Sequence, residues 1–307
     1  MSCFLFTRTF SPSSKPTASE MSFERRCVLL TLLLALMLSG SACARTAPPV
    51  PSPSIMSETP IADFVPHPAW WQPQPGLTWQ WQLTGKLDMD LHTDVVDIDL
   101  YVGQSVIDYY HSRGTRVICY ISVGSFENWR PDATQFPKEV LGKDYEGWSG
   151  EKWLDIRRID LLAPIMLARL DLCAAKGFDA VEPDNMEIYG ENTGFPLTYQ
   201  DQLRYVQWLA EEAHKRGLAM GQKNAPDMTR DLVDVLDFAI LEDAFYYHWA
   251  EDMKPYADAG KAVFAAEYTD MPGDFEEACR QSRRLKFSAI LKHRDLDAWV
   301  KFCPDQP

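Results

Sequence analysis

The stretch "LARLDLCAAKGFDAVEPDN", residues 167–185, decides the architecture. Its first ten residues favour a helix, and Gly177 offers a stop where the chain can turn left-handed. The short apolar run "DAVEPD" from Asp179 then has strand length and ends on acids. The same helix–glycine–strand phrase occurs in "SVIDYYHSRGTRVICYISV" (105–123), "EEAHKRGLAMGQKN" (211–224) and "PYADAGKAVFAAEY" (255–268). Such repetition is how right-handed αβ connections build a parallel sheet.

Working outward gives eight strands: "TWQWQL" from Thr78, "VVDIDLY" from Val95, "RVICYISV" from Arg116, "DAVEPD" from Asp179, "LAMGQK" from Leu218, "FAILED" from Phe238, "AVFAAEY" from Ala262 and "FSAILK" from Phe287. Most are rich in Val, Ile or aromatics, as strands buried on both faces require. The predicted fold class is α/β, a single-domain (β/α)8 TIM barrel. An open doubly wound sheet is the alternative, but neither GxGxxG nor a P-loop follows the first strand. The longest connection, 124–160, carries three Trp and many charges, a composition suited to a binding surface.

The chain before this body reads differently. Residues 1–44 are expected to be an upstream extension and an export signal. Arg25 and Arg26 precede the apolar run Val28–Leu38, and Ala42-Cys43-Ala44 forms a small-residue exit. That run is too short for a membrane-spanning helix, which needs about 20 residues. Cleavage before Arg45 would give a secreted or periplasmic protein. Lipidation of Cys43 is the alternative, against which Gly40 stands where a leucine is usual. Residues 45–62, rich in Pro and Ser, read as a linker, and 63–307 as the folded domain.

Formal net charge is −14, and removing residues 1–44, with four basic and two acidic residues, leaves −16. An acidic surface repels nucleic acid and favours cationic partners. No nucleic acid, transmembrane segment or cofactor is expected, and the chain is read as a monomer. Cys119 reads as a small core residue within an apolar strand, whereas Cys279 and Cys303 fall in the last structural unit and can pair in an oxidising compartment. No CxxC, HxxxH or HxH spacing occurs, so no metal ligands are assigned.

In a barrel the chemistry sits at the carboxyl ends of the strands. Those ends hold Glu182, Asp184, Asn185, Lys223, Asn224, Glu242, Glu267 and Tyr268, an unusual set to place beside apolar runs. Glycosidic cleavage needs two acids in different environments, one protonated to serve the leaving oxygen and one ionised. Asp184 and Glu242 are the catalytic candidates. Glu242 follows the apolar "FAIL", which predicts a raised pKa. Glu182 either points inward with Asp184 or serves as a structural partner of Lys223. The substrate-binding candidates are Asp99, Tyr120, Ser122, Glu127, Trp129, Arg130, Asn185, Lys223, Asn224, Tyr246, Glu267 and Tyr268. The many Trp and Tyr residues offer flat surfaces for sugar faces and cationic groups.

Seven stretches then carry a family resemblance: "WWQPQPGLTWQWQLTG", "VVDIDLY", "VICYISVGSFENWRPDATQFP", "LGKDYEGWSGEKWLDIR", "GFDAVEPDN", "AHKRGLAMGQKN" and "GKAVFAAEY". In their order and spread the chain resembles glycoside hydrolase family 114, the endo-α-1,4-polygalactosaminidases, which are TIM barrels. The resemblance implies endo-cleavage of α-1,4-linked galactosamine, a cationic amino-sugar polysaccharide, with retention and without a cofactor. It implies that Asp184 of "EPDN" is the nucleophile and Glu242 the acid/base, their carboxyls about 5 to 5.5 Å apart. One departure stands out: where the family commonly has "NEQC" and a second Cys, this chain has "LEDAFYYHWAE", with Ala244 and Ala250. The competing reading is a non-catalytic barrel that binds a cationic exopolysaccharide; loss of either acid would leave its binding intact.

Overall fold

The structure is a computed structural model that describes residues 70–304. The expected export signal, the linker and Cys43 lie outside the described residues. The strands, in chain order, are β1 (Trp79–Gln82), β2 (Val95–Asp99), β3 (Arg116–Ser122), β4 (Ser125–Glu127), β5 (Leu141–Asp144), β6 (Glu151–Leu154), β7 (Ala180–Asp184), β8 (Ala219–Lys223), β9 (Phe238–Glu242), β10 (Val263–Tyr268), β11 (Ser288–Lys292) and β12 (Val300–Phe302). The helices are α1 (Gln104–Ser112), α2 (Ile159–Lys176), α3 (Tyr199–Lys215), α4 (Thr229–Leu232), α5 (Lys254–Asp258) and α6 (Phe275–Leu285).

One sheet runs β1-β2-β3-β7-β8-β9-β10-β11-β12. Its first eight members are parallel, and β12 adds to β11 antiparallel. These eight are the strands expected from sequence, and they curl into a nearly closed barrel. At the seam the Trp79 indole donates to the Ser288 carbonyl at 2.9 Å, and the Leu83 amide to Leu296 at 2.9 Å.

Two-residue periodicity divides the core. Trp79, Trp81, Val95, Ile118, Ala180, Ala219, Phe238, Ile240, Phe264, Ala266 and Ile290 fill the lumen. Their neighbours Val96, Ile98, Cys119, Val181, Met220, Ala239, Leu241 and Ala265 pack outward beneath the helices. The same alternation carries Glu182 and Asp184, Lys223, Glu242 and Tyr268 inward at the ends of their strands.

Local signals set the element ends. Gly177 closes α2 with φ 84°, in the left-handed region that glycine enters without steric cost. Thr198 and Asp201 form a reciprocal capping box at the start of α3. The long connection after β3 folds into a separate sheet, β4-β6-β5, lying beside the barrel mouth.

Cys119, expected to be a small core residue, is fully buried and in addition disulfide-bonded to Cys173, a pairing not assigned from sequence. Its outward position on β3 faces the inner side of α2, where Cys173 is equally buried. The Cys279–Cys303 pairing is present and ties α6 to the segment after β12. No helix among the described residues is long and apolar enough to cross a membrane.

Candidate active site

The carboxyl ends of the strands open into a cleft of about 500 Å³. Trp81, Tyr120, Asp184, Lys223, Glu242 and Tyr268 form its floor, and Tyr145, Trp148, Glu151 and Trp153 rise from the small sheet on one side.

Lys223 is the centre of the floor. Its Nζ lies 2.9 Å from Glu182 Oε1, 2.8 Å from Asp184 Oδ1 and 3.1 Å from Glu242 Oε2. Three carboxylates therefore surround one ammonium with three hydrogens. The Trp81 ring lies against the same nitrogen, 4.6 Å from the ring centroid. Glu182 is fully buried and is the partner of Lys223 that the sequence offered as one of its two readings.

Asp184 also accepts from the Tyr120 hydroxyl at 2.9 Å and the Asn185 amide at 3.1 Å, both at Oδ2. Asn185 holds its own pose by donating to Ser122 Oγ at 3.1 Å. The turn before β4 makes this approach close, since a Cβ on Gly124 would sit 1.8 Å from the Asn185 carbonyl oxygen. Asn185 and Asn224 have φ of 62° and 48°, a left-handed conformation that asparagine tolerates better than most residues. Both follow directly on the catalytic-end residues of their strands.

Glu242 accepts from the Tyr268 hydroxyl at 2.6 Å and the Asn224 amide at 3.1 Å. Burial pushes its pKa up, but Lys223, Tyr268 and Asn224 outweigh that and hold it below the usual carboxylate value. The raised pKa expected from the apolar "FAIL" run is thus corrected. The run faces the lumen and helices below, whereas the carboxyl emerges among three donors.

The other sequence candidates divide into groups. Tyr120, Asn185, Lys223, Asn224 and Tyr268 line the cleft. Ser122 is buried behind Asn185. Asp99, Glu127 and Arg130 form an ion cluster beside β2, with Arg130 Nε 2.8 Å from Glu127 and its Nη1 on Asp99. Arg130 lies over the rings of Tyr101 and Tyr120, so this cluster backs the Asp184 partner rather than lining the cleft. Trp129 is exposed, away from the lining. Tyr246 and Glu267 lie in a second pocket between the loop after β9 and α6. Alternation explains this placement: Glu267 precedes inward Tyr268 and so faces out, accepting from the amides of Phe245 and Tyr246.

Sequence reasoning passed over Glu151, Glu187, Glu191, Tyr145, Arg294 and Asp295, which also line the cleft. Burial pushes Glu151 and Glu187 up to about 7, against the hydrogen bonds they accept from Ser125 and the Ala225 amide. Glu151 opens β6 of the small side sheet and Glu187 lies in the loop after β7, so neither stands at the carboxyl end of a barrel strand. Among the described residues His293, Asp295 and Asp297 have ligand-type atoms within 4.8 Å of one another, but they are largely solvated, and His293 already pairs with Asp297 at 3.0 Å.

A (β/α)8 barrel whose carboxyl-end cleft gathers three acids around a shared cation, beneath aromatic walls, has the architecture a glycoside hydrolase requires. The chain belongs to glycoside-hydrolase family GH114, whose model matches residues 62–307. It is 35% identical to Aspergillus fumigatus Ega3, solved in complex with galactosamine, over 76% of this chain and 97% of that one, with a TM-score of 0.72. The glycoside hydrolase domain of PelA from Pseudomonas aeruginosa shares the fold, at 14% identity, TM-score 0.59, and 74% and 99% coverage. An uncharacterized protein of Deinococcus radiodurans is 25% identical over 85% of this chain and 92% of its own length.

Proposed function

We propose that this enzyme is an endo-acting, retaining hydrolase of α-1,4-linked galactosamine polymer, with Asp184 as nucleophile and Glu242 as acid/base. The observation that carries the reading is the shared Lys223 ammonium. Contacts of 2.8 and 3.1 Å to one nitrogen keep Asp184 Oδ1 and Glu242 Oε2 within about 6 Å, consistent with the roughly 5 to 5.5 Å of retaining enzymes and below most of the inverting range.

In this mechanism the Asp184 carboxylate attacks the anomeric carbon while Glu242 gives its proton to the departing glycosidic oxygen. Glu242 is held ionised in the open cleft, so substrate must shift that balance. A sugar ring seated over the half-buried carboxyl expels water, and desolvation then favours the protonated acid. In the second step Glu242 takes a proton from water, the water oxygen attacks the anomeric carbon, and the bond to Asp184 breaks. Two displacements at one carbon restore its configuration.

The substrate assignment draws on the cleft's charge and on the galactosamine carried by Ega3. Glu151, Glu187, Glu191 and Asp295 line the walls beside Trp81, Trp148 and Trp153. Acids and aromatic faces together suit rings that carry an ammonium group. Two disulfides and the signal-like residues 25–44 support export.

The deciding experiment follows reducing ends released from partly deacetylated α-1,4-galactosamine polymer, with Asp184→Asn and Glu242→Gln alongside. Release of short oligomers, reduced at least about 100-fold in each variant, is expected. Binding of the polymer by all three proteins without release would replace the enzyme reading with a binding barrel.

A further inference from the structure

Asp97 lies in the middle of β2 and is wholly enclosed in the barrel, directly under the floor of the cleft. Both of its carboxyl oxygens lack a partner, and so does Glu182 Oε2. Three orphan acceptor atoms enclosed in the lumen would be costly if both acids were ionised. Yet the two carboxyls lie within hydrogen-bond reach of each other. A single proton placed between them satisfies an oxygen of each group, and no other donor among the described residues reaches Asp97.

We propose that Asp97 is a positioning residue of this site: held as the neutral acid, it donates its carboxyl hydrogen to Glu182 and leaves the Lys223 charge to Asp184 and Glu242. The inference rests on the hydrolase reading above and extends it to a residue that touches no substrate. Its logic is the charge count around one ammonium. The pair is faced by Asp184 from β7 and Lys223 from β8. Around Lys223 stand Glu242 from β9, Tyr268 from β10 and the uncharged Trp81 from β1, and Tyr120 from β3 donates to Asp184. Among the described residues Lys223 is the sole cation in contact with these acids. With Asp97 ionised, four carboxylates would compete for it, and repulsion would drive protons onto the groups that must attack and accept. With Asp97 neutral, Glu182 has a donor on each oxygen and anchors Lys223 from below.

Burial and the neighbouring Glu182 push Asp97 far above the usual carboxylate range, in agreement with this geometry. Glu182 faces the Lys223 ammonium at 2.9 Å, whereas Asp97 has no cation in contact among the described residues, so Glu182 keeps the charge and the proton belongs on Asp97.

The test compares the wild-type protein with Asp97→Asn, which can still donate to Glu182, and Asp97→Val, which cannot. Infrared difference spectra near about pH 8 read protonation directly: a buried-carboxyl C=O band is expected in wild type and absent from both variants. In pH profiles of kcat/KM on galactosamine polymer, Asp97→Val should lose about 10-fold or more with displaced limbs. Asp97→Asn should restore activity to within about 3-fold, with the limbs in place. Absence of the band in wild type overturns the proposal, as does an Asp97→Asn profile displaced like that of Asp97→Val. Should the polymer not be cleaved at all, the substrate reading fails separately. The infrared band, and the thermal stability of Asp97→Asn against Asp97→Val, then still decide the state of Asp97.

Discussion

The Tyr268 hydroxyl donates to Glu242 Oε1 at 2.6 Å, so the candidate acid/base is held by a residue from the next strand of the barrel. A hydrogen bond to an ionised carboxylate stabilises the charged form. Tyr268→Phe should therefore raise the Glu242 pKa, the reverse of the depression in the intact site. A general acid works while protonated, so the alkaline limb of kcat/KM should move to higher pH, by about one unit. A pH profile with the polymer tests this, and a shift toward lower pH would exclude Glu242 as the acid.

Lys223 gives the strongest single dependence. Lys223→Met leaves Glu182, Asp184 and Glu242 facing one another without a cation. Breaking one side of a buried ionic cluster costs about 3–5 kcal/mol. Protonation of the stranded acids relieves part of that cost. The loss in Tm should thus be larger near about pH 8 than near about pH 5, and kcat/KM should fall at least about 100-fold. Equal Tm losses at both pH values would show that the acids are not repelling each other.

Much of this was legible because periodicity and strand ends carry physical meaning. The phrase at 167–185 gave a helix, a glycine stop and a strand in their observed order, and seven more strands followed the same logic. Inward alternation also placed Asp184, Lys223, Glu242 and Tyr268 on one floor. What escaped lay where period and position do not speak. Asp97 interrupts an apolar strand at mid-length, and only the enclosed lumen shows that its carboxyl meets Glu182. Glu267 ends a strand as convincingly as Glu242, yet falls one residue out of phase and faces α6. Cys119 and Cys173 are 54 residues apart, and nothing local reports that β3 and α2 bring them together.

That disulfide has a measurable consequence. It joins a lumen strand to the helix that covers it, closing a loop that contains the whole β4-β6-β5 sheet. Cross-links of this span stabilise by about 2–4 kcal/mol, mainly by restricting the unfolded chain. Cys119→Ala with Cys173→Ala should lower Tm accordingly while leaving cleavage at 25 °C within about 3-fold, because neither sulfur approaches the cleft lining. Calorimetry beside the reducing-end assay separates the two effects. A large activity loss with unchanged Tm would mean that the bridge positions the β4-β6-β5 wall.

The acid-lined mouth also fixes how stability should vary with pH. Burial raises Glu151, Glu182, Glu187 and Glu267 to about 7 in the folded chain. Unfolding returns each to the ordinary glutamate value of about 4.3. Between these values the folded state binds more protons than the unfolded one, so stability falls as pH rises through the window. The opposing group comprises carboxyls held low: Asp132 against Arg169 despite partial burial, and Asp237 against His214 despite its burial. Their contribution is present above the ordinary aspartate value and is lost as pH falls through their depressed values. The two families act on opposite sides of the ordinary carboxylate range, so they bracket a maximum rather than cancel. Tm measured in steps from about pH 3 to about pH 9 should peak near about pH 4 and decline on both sides. Glu151→Gln and Glu187→Gln, which mimic the protonated side chains, should flatten the decline above the peak without altering the acid side. A Tm that climbs steadily from pH 5 to pH 8 would show that these glutamates are ionised and solvated in the folded cleft.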